Sequence, residues 1–103
     1  MILHIAQFVW KPEVTEADVE AVRAALLQMA AQIPQITSYQ AAPNLRIRPS
    51  DTDFACAAIV ADEDDLITYL DHPLHKAVYA DFLGPMIAQR SAAQLPIQTG
   101  SFE

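Results

Sequence analysis

Two segments of this chain, Ile2 to Trp10 and Phe54 to Ala61, are apolar at nearly every position, and that limits the available folds more than any other feature. The first reads as a strand because β-branched and aromatic residues dominate it and Lys11-Pro12 stops it. A strand alternates its side chains between two faces. One face would carry Leu3, Ile5 and Val9, the other Ile2, Ala6, Phe8 and Trp10 with His4 among them. The second segment is also apolar on both faces but built mostly of alanine, so that neighbours can approach it closely. Strands of this kind must be covered on both sides.

Between and beyond them the period changes. Thr15, with Asp18 three residues on and Glu16 in the first turn, predicts a helix start. Val19, Val22, Leu26, Met29 and Ile33 follow at spacings of three and four on one face, with Glu20, Arg23 and Gln28 opposite, and the helix ends near Ile33-Pro34. A strand is expected from about Ile36 to Ala42, then a loop through Pro43-Asn44 and Arg46 to Ser50. The acidic run from Asp62 to Asp65 suits the N-terminus of a helix carrying Leu66, Ile67 and Leu70. Pro73 separates this piece from a second one carrying Val78, Phe82, Met86 and Ile87, which Gly84-Pro85 bends or interrupts. A last strand is placed around Gln94 to Gln98, edge-like because of Pro96.

The order strand, helix, strand, strand, broken helix, strand is that of a ferredoxin-like split βαβ domain, an α+β fold with a four-stranded antiparallel sheet and helices on one face. At 103 residues the chain is one domain. Its 52% apolar content exceeds what a small two-layer domain needs, and an open sheet face of this character would be too large a patch for a monomer. A symmetric dimer with open faces opposed, a dimeric α+β barrel, removes the difficulty.

Charge narrows the partners. Six basic against thirteen acidic residues give a formal −7, which opposes binding to nucleic acid or to anionic membranes. Cys56 is the sole cysteine, set among alanines, which fits a buried thiol and a reducing, cytoplasmic setting. The N-terminus lacks the basic residues of a signal peptide, and no segment is long enough to span a membrane. With only Gly84 and Gly100 there is no phosphate-cradling loop, and no cofactor is expected.

The densest group of proton-handling side chains is Tyr69-Leu70-Asp71-His72-Pro73-Leu74-His75. Together with His4 on the early strand and Asp53-Phe54-Ala55 opening the third, the string His72-Pro73-Leu74-His75 between two helical pieces resembles the stress-responsive α/β-barrel (Dabb) family over nearly the whole chain. The resemblance implies a homodimer with a cavity between sheet and helices in each subunit, and the partner expected there is an apolar or aromatic small molecule. Members of that family include plant stress proteins without assigned chemistry and olivetolic acid cyclase, which closes a linear polyketide by aldol condensation. Its catalytic histidine and tyrosine match His75 and Tyr69, and its further histidine matches His4.

Each of these residues has a plainer reading. A neutral His75 in the first turn of the second piece can act as a general base while the Tyr69 hydroxyl donates to an enolate oxygen, or its ring can simply bond a carbonyl and fix the helix break. Tyr69 is otherwise an amphipathic core residue, and His4 a satisfied buried histidine. His72 is a junction or capping residue that also counts, with His4, as a substrate-binding candidate. A metal site through His72 and His75 lacks a third histidine or cysteine at recognisable spacing, so none is expected. The alternative for the whole chain is a non-catalytic structural or stress-associated homo-oligomer.

Overall fold

A computed structural model describes residues 1–102. Strand β1 (Ile2–Trp10) leads to helix α1 (Glu16–Gln32), strands β2 (Ser38–Pro43) and β3 (Phe54–Val60), helices α2 (Glu63–Leu70) and α3 (Pro73–Val78), a π-helical segment (Tyr79–Leu83), the short turn α4 (Gly84–Met86) and strand β4 (Ile87–Pro96). The sheet order is β2-β3-β1-β4 and every neighbouring pair is antiparallel. This is the expected ferredoxin-like α+β arrangement, and its 20 Å shortest dimension is that of one sheet plus one helical layer.

The helix starts form as their sequences dictate. Thr15 and Asp18 make a reciprocal capping box, and the Asp62 carboxylate accepts from the Asp65 amide at 2.9 Å. Between sheet and helices lies the core, where Val22, Leu26 and Met29 of α1 meet Ala6 and Phe8 of β1 and Phe54, Cys56, Ala58 and Val60 of β3. Burying each large apolar side chain of this set contributes about 1.5–3 kcal/mol. Trp10 and Phe8 stack with planes 9° apart and centroids 5.7 Å apart. Asp53 ties the sheet end together, accepting from the Trp10 amide at 2.7 Å and pairing with Arg46.

Register fixes the faces. His4, Ala6 and Phe8 share the helix side with Cys56 and Ala58. Leu3, Ile5, Gln7 and Val9 point the other way with Ala55, Ala57 and Ile59, onto a face that no helix covers. The tail crosses one end of that face, from an Ile97 amide donating to the Met1 carbonyl to Gly100 beside Thr37, and Ile59 is fully buried while Ala55 and Ala57 are only half-buried.

Several strand boundaries differ from the sequence reading. Strand β2 begins at Ser38 rather than Ile36. More consequentially, the last strand begins at Ile87, which the helical period had claimed, and ends at Pro96, so Gln94 to Gln98 captured only its end. The reason is physical: β4 is an edge strand exposed along nearly its whole length, and its Ala, Gln, Arg and Ser residues have no buried face to impose an alternation.

Candidate functional site

Three elements bring three site candidates together. β1 turns His4 toward the helices, the last turn of α2 supplies Tyr69, and the first turn of α3 supplies His75. The His4 and Tyr69 rings meet edge-on with centroids 6.1 Å apart, and Tyr69 and His75 do so at 5.1 Å. With Tyr79, Leu83 and Arg90 they wall a largely enclosed cavity of about 20 Å³, which is room for about one water. Two larger surface grooves, about 390 Å³ on the open sheet face and about 530 Å³ between Trp10 and the start of α1, contain no histidine.

Pro73 sets this geometry. A residue before proline avoids the helical region, and His72 accordingly is extended (φ −63°, ψ 139°) between α2 and α3 with Pro73 in the first helical turn. The His72 Nδ1 atom accepts from the Leu74 amide at 3.1 Å, capping α3. The chain therefore turns sharply enough for His75 to face back onto Tyr69. His72 itself does not line the cavity.

The far wall is built by the π-helical segment. Pro85 has no N–H and its ring would collide with the carbonyl four residues back, so the ladder widens, and the Gly84 amide donates to the carbonyl of Tyr79, five residues before it. A Cβ on Gly84 would lie 3.1 Å from that carbonyl oxygen, a tight contact that glycine avoids. Tyr79 and Leu83, the ends of this segment, both reach the cavity.

Electrostatically the cavity keeps its acid-base groups uncharged. Burial lowers the His4 pKa, and the positive charge of Arg90 and the nearby His75 lower it further. Burial is also the main cause that lowers His75; the Leu70 carbonyl beside the ring opposes the shift, while Arg90 adds to it. Burial raises the Tyr69 hydroxyl and the Cys56 thiol. The Gln94 side-chain amide donates to His4 Nδ1 at 2.9 Å, leaving the proton of a neutral ring on Nε2. The arrangement thus offers a neutral imidazole as proton acceptor beside a phenol as hydrogen-bond donor. Among the described residues no group of three His, Cys, Asp or Glu side chains is placed to hold a metal ion.

Sequence reasoning had not found Arg90, Gln94 or Tyr39. The first two sit on the strand whose extent it misjudged, four residues apart on the helix side in register with Phe8 and His4. Tyr39 lies on β2 in register with Ala58, and its buried hydroxyl sits by the Cys56 thiol and the Tyr69 hydroxyl without a well-formed hydrogen bond to either.

The fold and the site define a ferredoxin-like α+β domain with a histidine- and tyrosine-walled cavity beneath its helical layer. More particularly, residues 2–96 match the family described as Stress responsive A/B Barrel Domain, and the chain belongs to it. A dimeric ferredoxin-like protein of unknown function from Thermobifida fusca is 38% identical, with a TM-score of 0.86 over 93% of this chain and 90% of that one. An uncharacterized protein of Streptomyces coelicolor is 41% identical over 61 residues; the match spans 59% of this chain and 59% of that relative's length. A hydroxynitrile lyase from Passiflora edulis shares the fold at 13% identity, with a TM-score of 0.81 over 94% of this chain and 93% of that one. No helix among the described residues is long and apolar enough to cross a membrane.

Proposed function

We propose that the cavity walled by His4, Tyr69 and His75 is a site for proton-transfer chemistry on a small carbonyl compound with an apolar body, carried out by a homodimer whose open sheet faces oppose each other. One observation carries the reading: three acid-base side chains from three elements converge on one cavity, with both imidazoles held neutral. His75 is the base. It takes the proton from the carbon next to the carbonyl, so that a C–H bond breaks, an N–H bond forms, and the electron pair moves onto the oxygen, which accepts a hydrogen bond from the Tyr69 hydroxyl. The resulting enolate can attack a second carbonyl, as a cyclase-like lyase requires, and His75 returns the proton. His4 positions the substrate, while His72 shapes the junction. That the fold hosts a lyase in Passiflora edulis and is dimeric in the Thermobifida fusca relative supports the two halves of the proposal.

A second reading has its own observation in its favour. A cavity of about 20 Å³ is far below the several hundred Å³ that small-molecule sites occupy, so a substrate needs a wall to move. A structural, stress-associated homo-oligomer needs no such motion. Deuterium uptake at the methyl carbon of acetophenone in heavy water, followed by proton NMR, separates the two. The enzymatic reading expects exchange above the buffer rate that falls about a hundredfold or more in His75→Gln, with Tyr69→Phe also impaired and the melting temperature of both kept. Exchange at the buffer rate for the native protein would leave the structural reading standing.

A further inference from the structure

Arg90 has no role in the proton transfer described above, yet among the described residues it is the one lining the cavity that carries a full charge when the histidines are neutral. Its setting is unusual for this chain. The protein has thirteen acidic and six basic residues, but among the described residues no carboxylate lines the cavity. Of the four arginines, Arg46 pairs with Asp53, Arg23 donates to the Ala41 carbonyl at 2.8 Å, and Arg48 donates to its own neighbour's carbonyl. The Arg90 guanidinium makes no ion pair or hydrogen bond among the described residues. It stands on β4 in register with Phe8, on the helix side of the sheet and at the exposed edge of the cavity. Two residues further along the same face Ala92 pairs with Ala6, so on the sheet floor only alanines lie between the Arg90 and His4 positions.

We infer that Arg90 anchors a carboxylate at the mouth of this cavity, so that the ligand is a small organic acid whose apolar body and carbonyl reach inward toward Tyr69 and His75. The inference rests on the reading of the cavity as a ligand site and names its substrate class. A guanidinium presents a planar fork of donors that matches a carboxylate with two parallel hydrogen bonds. A phosphate is the poorer match, because a doubly charged group would meet one cation, with no second basic side chain and no glycine loop among the lining residues. The apolar remainder of the ligand suits Phe8, Leu26 and Leu83. Binding also has a chemical consequence. Burial is the main cause that disfavours imidazolium at His75, with Arg90 and His72 adding to it and the Leu70 carbonyl and Asp71 opposing it. A carboxylate on Arg90 offsets the Arg90 contribution and so makes His75 a stronger base when ligand is present.

Benzoate and benzamide, which differ in charge but scarcely in shape, test this through the imidazole resonances of labelled protein at low salt. Benzoate is expected to bind about tenfold more tightly or better, to lose that advantage at high salt, and to raise the pH at which His75 titrates. Arg90→Gln should bind the two probes alike and Arg90→Lys should recover part of the preference; the exposed edge position lets both variants fold, which circular dichroism checks. Equal affinity for both probes in the native protein, an undiminished preference in Arg90→Gln, or no binding of benzoate up to its solubility each overturns the anchor. Because neither probe has an exchangeable proton on carbon next to a carbonyl, the chemistry is tested apart: His75→Gln should lose isotope exchange and keep its preference for benzoate. A benzoate preference without any exchange in the native protein would leave the anchor and remove the proton transfer.

Discussion

At the scale of single residues, desolvation is the common cause behind the site's behaviour. His4 is 3% exposed and His75 is half-buried, and burial heads the causes that lower both. The sign of the resulting pH dependence follows. Both folded-state values lie below the ordinary 6.5, so below about pH 6.5 the unfolded chain takes up protons that the native chain refuses. Stability is therefore complete above that value and drains as pH falls toward the folded values, by at most about 1.4 kcal/mol per pH unit for each histidine. Urea midpoints measured from pH 7.5 down to 5 should fall in the native protein and fall less steeply in His4→Gln or His75→Gln. Parallel slopes would mean that the rings are solvated and titrate freely. Tyr69, His75 and His4 were legible in the sequence because a proline-broken helix and an apolar strand fix where they point. Arg90 and Tyr39 were not: nothing in an isolated arginine or tyrosine tells which face of an edge strand it occupies until the register is known.

At the scale of elements, the helical layer is unevenly anchored. α1 buries Val22, Leu26, Met29 and Ala30, whereas α3 has no buried residue and reaches the core through the partly buried Leu74 and Val78. The π-helical segment that continues it buries only Leu83, and Pro85 beyond it removes one donor from the ladder. The wall made by α3 and this segment is thus the part of the cavity with least to lose by moving, and a cavity of one water's volume needs such a wall if it is to admit a ligand. Native-state amide hydrogen exchange should be faster from Ala77 to Leu83 than across the middle of α1, by about a hundredfold or more, and should slow in that segment when benzoate is added. Equal protection in both would fix the cavity at its present size and count against both the chemistry and the anchor. The same contrast explains which elements could be read beforehand. β1, α1 and β3 each press a face into the core, so their periods are written in hydrophobic residues, and the acidic run at Asp62 marks the start of α2. β4 packs only its first residue, Ile87, against the core, and its start was mistaken for the end of a helix.

At the scale of the molecule, the sheet separates two surfaces with different tasks. His4, Tyr69, His75 and Arg90 gather on the helix side, while Ile5, Gln7, Ala55 and Ala57 form a shallow groove on the other. A dimer that opposes the open faces therefore leaves each cavity complete within its own chain and its mouth at Arg90 uncovered. Ala57 lies at the centre of the open face, in register with Ile5 on one side and Gln40 on the other. In a two-fold interface a substitution occurs twice and its copies face related surfaces, so Ala57→Glu buries two added carboxylates against a partner of like net charge. Light scattering at micromolar concentration should give a dimer for the native protein and a monomer for Ala57→Glu. Since two chains of formal charge −7 repel each other, the native dimer should also tighten as salt is added. The monomeric variant should still prefer benzoate to benzamide, because the open face contributes nothing to the Arg90 cavity. A native protein that is monomeric, or an Ala57→Glu variant that remains a dimer, would remove the open face as the interface. A monomer that no longer distinguishes the probes would instead show that the partner completes the site.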